Sequence, residues 1–201
     1  MLVFSVIRVM CLVIIISTVA FSQEQQEILL SINSVNTSGK LNYFNNGESL
    51  RSQNKFSSAI EEYKKVLGPG ELCGKEANAQ YNIALCYSWL GKVDIAERWY
   101  NDTINLYSEN TEIVAYSKFG IAWVKTKKQE FETAIDLYNR LISKKSISDE
   151  ELYSVAMFQI GKIYLIFLKE PEKAKQLFNE ILSKYPNANI IEHPYFEIIK
   201  N

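Results

Sequence analysis

Ala77–Tyr100, ANAQYNIALCYSWLGKVDIAERWY, contains two apolar runs broken by a Gly91–Lys92 turn. Ala77 to Leu90 carries apolar residues at helical spacing, and so does the run of Val93, Ala96, Trp99, Tyr100 and Ile104. The stretch therefore predicts two helices joined by a tight turn. Its second half places Ala96 four residues ahead of Tyr100, and the rest of the chain repeats that placement. Ala59 precedes Tyr63, Ala134 precedes Tyr138, and Ala174 precedes Phe178, each by four residues. The alanines are 37, 38 and 40 residues apart, a period that signals stacked supersecondary units rather than one globular core.

The same plan extends outward. In the first unit Tyr43, Asn46, Gly47 and Leu50 share one helix face. Gln53–Asn54–Lys55 breaks the helix, and Phe56, Ala59, Ile60, Tyr63 and Val66 form the second face. Gly68–Pro69–Gly70 should stop that helix, since Pro lacks the backbone donor and Gly relaxes the chain. The third unit spans Glu112 to about Ser143, with Asn110 or Thr111 as N-cap and Lys127–Lys128–Gln129 as turn. The fourth opens with a Ser148–Glu151 capping box, its second helix begins at Pro171, and Pro186 closes it.

A small residue in each first helix keeps a near-constant distance from the alanine. Gly47–Ala59, Ala84–Ala96 and Ala122–Ala134 are 12 apart, but Gly161–Ala174 is 13. Close helix crossing needs a small residue from each helix, so these pairs are expected at the crossings. The fourth unit should carry a one-residue irregularity near its turn.

Only 8 glycines and 4 prolines agree with long helices and few loops. The net charge of −1 gives no electrostatic footprint for nucleic acid, which excludes that class. Residues 1–22 read as a signal peptide. Arg8 precedes an apolar run from Val9 to Ala20, and Ala20–Phe21–Ser22 resembles a cleavage site before Gln23. The alternative is a retained anchor, since Leu2 to Phe21 is long enough to span a bilayer. Residues 23–40 form an N-terminal arm or capping helix, with Ile28, Leu29, Ile32 and Val35 on one face. Residues 188–201 form a C-terminal cap through Tyr195, Phe196, Ile198 and Ile199. Cys73 and Cys86 are expected as unpaired small hydrophobes, although export would permit a disulfide.

No catalytic, metal or cofactor constellation is visible. His193 is the one histidine, an expected exposed tail imidazole, and no phosphate loop, Cys-x-x-Cys pair or serine elbow is present. Two Asn-x-Thr/Ser triplets, at Asn36 and Asn101, are too short to carry weight.

The units resemble the tetratricopeptide repeat. The second is closest, in Tyr81, Ala84, Leu90–Gly91, Ala96 and Tyr100. The first keeps Tyr43, Gly47, Leu50, Phe56 and Ala59, the third Ala122, Phe131 and Ala134, and the fourth Gly161, Tyr164, Ala174, Phe178 and Pro186. The resemblance covers about residues 41–187. It implies an all-α, right-handed superhelical solenoid of about four helical hairpins. It also implies a non-catalytic interaction module whose concave groove, lined by first helices, holds a peptide or partner protein. The groove face would present Phe44, Tyr81, Leu85, Trp89, Tyr116, Phe119, Trp123 and Phe158, accompanied by Glu48, Arg51, Asn78, Lys162 and Leu165. The competing expectation is that Tyr81, Phe119 and Trp123 pack between repeats. Tyr81, Phe119 and Phe158 stand where the family's chaperone-tail clamp would need its first lysine, so that mechanism is not expected. Membrane contact would follow only from a retained N-terminal segment, which would make the chain a tethered scaffold of an envelope assembly.

Overall fold

The computed structural model describes residues 25–26 and 37–196, which are helical and contain no strand. The leader-like segment 1–22, most of the arm and the end of the tail lie outside the described residues. Helix α1 covers 37–52, α2 Phe56–Val66, α3 Glu76–Trp89, α4 Val93–Leu106, α5 Thr111–Lys127, α6 Phe131–Lys144, α7 Glu150–Lys162 and α8 Pro171–Lys184. Each packs on the next in chain order, and α3 also packs on α5, the first helix of the following hairpin. That is a solenoid of four hairpins. Helix α1 already runs at residue 37, so residues 37–40 belong to the first hairpin. There the buried Lys40 donates from Nζ to the Gly68 carbonyl at 2.8 Å.

The four alanines and the aromatics that follow them are all buried. The nearest neighbours of the first-helix glycines are the rings. A Cβ at Gly47 would lie 2.5 Å from the Tyr63 ring, and one at Gly161 would lie 2.5 Å from Phe178. The small residue of the first helix is thus a seat for the aromatic one turn beyond the alanine. Gly120 does the same between hairpins, where its Cβ would meet Tyr100 of α4 at 2.4 Å.

All four hairpin turns share one device. Asn54, Gly91, Gln129 and Lys169, each five residues before an alanine, adopt left-handed backbone with φ of 58°, 72°, 61° and 57°. In three turns the following amide reaches back five residues. Lys55 N–H donates to the Leu50 carbonyl, Lys92 to Tyr87 and Glu130 to Lys125, at 2.9, 2.9 and 3.0 Å. These are Schellman closures. In the fourth turn Glu170 N–H reaches six residues back, to Tyr164, at 2.8 Å. The extra residue is taken up just before it, where α7 continues as a π-helix over Ile163–Leu168. The 13-residue interval in the sequence corresponds to this widened turn.

Caps follow local chemistry with one shift. Asn110 caps α5 by accepting from Ile113 N–H at 3.1 Å. At α7 the cap is Asp149, which accepts from Leu152 N–H at 3.0 Å, and not the expected Ser148. The carboxylate also receives the Tyr116 hydroxyl, which fixes it at the helix start. Glu151 then turns away to accept from Asn189 N–H at 2.9 Å. Cys73 and Cys86 are unbonded.

Helix α7 with its π extension, Glu150–Leu168, is long and apolar enough to cross a bilayer, yet half of it is buried inside the protein. It is the core helix of the fourth hairpin, covered by α6, α8 and the tail. Phe158 sits at the centre of that cover, 5.8 Å from Phe196 in a stacked pair and 4.8 Å from the His193 ring.

Candidate functional site: an aromatic cleft between first helices

Residues four apart on a helix lie on one face, so Tyr81, Leu85 and Trp89 form a stripe along α3. Phe119, Gly120 and Trp123 form another on α5, and Val155 and Gln159 one on α7. These three stripes line a cleft of about 220 Å³, floored by Tyr100 and Ser88. Helix α3 packs directly on α5, whereas α5 and α7 make no comparably close approach, and the space opens between them.

The aromatics hold one another in place. Tyr81 lies 5.9 Å from Tyr100 and 6.0 Å from Tyr116, in tilted arrangements. Trp89 lies 6.1 Å from Trp123 and stacks on Phe56 at 6.3 Å. Phe119 meets Tyr138 edge-on at 5.3 Å. Offset and edge-on pairs of this kind add roughly 0.5–1.5 kcal/mol each beyond their burial. Packing between repeats and lining the cleft are therefore both true of Tyr81 and Trp123, while Phe119 lines the cleft and packs on Tyr138 of its own hairpin. Burial pushes the Tyr81 phenol up to about 12, so it stays neutral in the cleft wall. Trp89 remains 60% exposed, a large indole left uncovered at the cleft's mouth.

A second chamber of about 330 Å³ continues the cleft and shares Trp123 and Gln159 with it. Lys127, Lys162, Ile166 and Phe167 line it, and Phe167 is 48% exposed while stacking on Phe131 at 4.6 Å. Lys127 Nζ lies 4.9 Å from the Trp123 ring centre, and Lys162 Nζ 5.7 Å from that of Phe158. Burial first, and the charge of Lys127 second, hold the Lys162 ammonium below the ordinary lysine range.

Of the eight groove residues expected from sequence, Tyr81, Leu85, Trp89, Phe119 and Trp123 come together here. Three do not. Phe44 packs on Tyr63 at 5.8 Å in the first hairpin. Tyr116 stands beside Tyr81 but turns its hydroxyl to Asp149. Phe158 is 2% exposed beneath the C-terminal tail and takes no part in the cleft.

Glu48 and Arg51 are structural as well. Glu48 accepts from the Tyr63 hydroxyl at 2.6 Å and from Asn82 Nδ2 at 2.7 Å, and Arg51 pairs with it at 2.6 Å, which ties the first hairpin to the second. Leu165 packs into the core of the last two hairpins. His193, expected as an exposed imidazole, is half-buried between Phe158 and Tyr195.

Sequence reasoning missed Val155, Gln159, Lys127, Ile166 and Phe167. On α7 it chose the Phe158–Lys162–Leu165 face, whereas the open face is Val155–Gln159–Lys162–Ile166. Phe158 and Gln159 are neighbours in sequence, and one residue is a rotation of about 100°. Among the described residues no group of His, Cys, Asp and Glu side chains is placed to hold a metal ion.

Comparison with known proteins agrees with this architecture. A family profile described as Domain of unknown function (DUF6340) matches residues 45–120, and a Tetratricopeptide repeat profile matches residues 155–188. The repeat profile falls on the fourth hairpin, the one whose proline follows its alanine by 12 residues, and not on the second hairpin. No curated protein matches the chain. Among solved structures, the crystal structure of MamA protein is similar over 74% of this chain and 74% of that one, at 21% identity and a TM-score of 0.52. At that identity the likeness concerns the fold.

Proposed function

We propose that the aromatic cleft is where a partner protein or peptide docks, a reading supported by the tetratricopeptide-repeat match at residues 155–188 and by the stacked helical hairpins. One observation carries the reading. Tyr81, Leu85, Phe119 and Trp123 converge on an unfilled apolar space, with Trp89 left exposed beside it. Large aromatics at a concave site are the residues that anchor binding hot spots, and leaving them in water is unfavourable without a partner.

The work of such a site is binding, and no step of chemistry is assigned to it. The leader-like residues 1–22 support an exported module, in the periplasm or secreted. If that segment is retained, the same array becomes a membrane-tethered scaffold. N-terminal sequencing of the native protein separates the two, since a chain beginning at Gln23 has lost the tether.

The docking reading is tested with a photo-crosslinker at Trp89 in native cells, in the wild-type background and with Trp123→Glu or Phe119→Glu. A discrete adduct that disappears in the folded variants is expected. An adduct of equal yield in variants with unchanged helical circular dichroism would refute docking at the cleft.

A further inference from the structure

The two chambers differ in one chemical respect that bears on what fills them. Eight other lysines and arginines among the described residues pair with a carboxylate, Lys64 and Lys65 on α2 among them. Lys125 and Lys128 are held by Glu97, with Glu130 and Asp94 completing the cluster, and Arg51, Arg140, Lys173 and Lys184 each have a carboxylate nearby. Lys127 and Lys162 have none among the described residues, and meet only the faces of Trp123 and Phe158. For exposed Lys127 this is unremarkable. Lys162 is half-buried beside a second cation, and a desolvated ammonium without an anion is unfavourable. A carboxylate entering the chamber would relieve that cost. Apolar surface continues on both sides of the lysines, toward Trp123 at one end and toward Ile166 and Phe167 at the other. Gln159, common to both chambers, has a side-chain amide with no protein partner among the described residues.

We propose that the occupant is an extended peptide segment carrying a carboxylate side chain between bulky apolar side chains, with Lys162 and Lys127 taking the carboxylate and Trp123 an apolar neighbour. This rests on the docking reading above. An acidic side chain fits better than a chain end, because the apolar lining runs on past the lysines. A membrane surface is disfavoured, because a flat array of headgroups does not reach a half-buried ammonium between two helices.

The test uses the full chain and nine-residue synthetic peptide pools amidated at the C-terminus. One pool fixes Phe-x-Glu-x-Leu, a second Phe-x-Gln-x-Leu and a third Gly-x-Glu-x-Gly; a fourth ends its apolar frame in a free carboxylate. The first pool is expected to be retained about tenfold over the second, the scale of one hydrogen bond to a charged group. In Lys162→Gln that preference should fall to within about twofold, and Lys162→Arg should restore most of it. Trp123→Glu should lose both pools.

Equal retention of the Glu and Gln pools with Trp123-dependent capture would overturn the charge assignment and leave the docking reading standing. Retention of the free-carboxylate pool alone would overturn the side-chain assignment. Binding to phosphatidylglycerol vesicles that depends on Lys162, with no peptide retained, would overturn the peptide. Retention of no pool and of no vesicle would remove the docking reading together with this one.

Discussion

Gly120→Ala tests the packing logic directly. The new methyl would lie 2.4 Å from Tyr100 Cζ and 2.6 and 2.7 Å from the two Cε atoms, against the face of the ring. An ordinary carbon contact needs about 3.5–4 Å, so roughly 1 Å must be found. Tyr100 is 1% exposed, braced by Tyr81 at 5.9 Å and by Ser88 Oγ at 3.4 Å, and has little room to retreat. Overpacking of this kind costs about 1–3 kcal/mol, while alanine in a helix interior returns about 0.5–1 kcal/mol. The net expectation is destabilisation by about 1–2 kcal/mol, a fall in Tm of roughly 2–8 °C for a chain of this size. Urea and thermal melts followed by far-UV circular dichroism measure it.

Gly39→Ala is the control. It lies in α1 with nothing within 4 Å of its Cβ, so the propensity gain should stand alone and the melt should move upward. In a Tyr100→Leu background, Gly120→Ala should cost at least about 1 kcal/mol less, a coupling measured by the double-mutant cycle. If Gly120→Ala stabilises as much as Gly39→Ala does, the glycine is not a seat for the ring and the account of the hairpin junction is wrong.

Three further outcomes are expected. Ala96→Leu should overpack the second hairpin, where Ala96 and Tyr100 are buried together, and lower stability by about 1–3 kcal/mol; a Leu85→Ala change at the cleft should cost less in the same urea melt. Gln129→Gly should raise stability by up to about 1 kcal/mol, because its φ of 61° strains any side chain, and Gly91→Ala at φ 72° should lower it by a similar amount; a reversed sign in the thermal melt would contradict the shared turn geometry. Glu97 is held below the usual carboxylate range: burial alone would raise it, but hydrogen bonds from Lys128 and Lys125 outweigh that. A depressed folded pKa gives stability present above the unfolded value of about 4.3 and lost as pH falls through the folded one, so the wild type should lose more between about pH 5 and 3 than Glu97→Gln. These side chains are partly exposed, which keeps the difference below about 1 kcal/mol.

Legibility was greatest where local rules act alone. The alanine–aromatic spacing gave the hairpins, and the Gln53–Lys55, Gly91–Lys92 and Lys127–Gln129 breaks gave the turns, because a helix end is set by a few adjacent residues. The odd 13-residue interval reported a real insertion, although nothing local distinguishes a widened helical turn from a longer loop. The capping residue slipped by one because Ser148 and Asp149 can both cap, and the contact that favours Asp149 comes from Tyr116, 33 residues away.

The amino-acid order alone determines that this chain is a row of helical pairs, since period, small residues and breakers are properties of the string. Which aromatics stay open to a partner was decided by how the pairs stack. Exposure of a ring on a first helix depends on the rotation of that helix against its neighbours and on what covers the end. Phe158 and Phe119 read alike in sequence, yet the tail closes over Phe158 while the gap between α5 and α7 leaves Phe119 on the wall of a cleft. Burial is a relation between elements far apart in the chain, and only the assembled array fixes it.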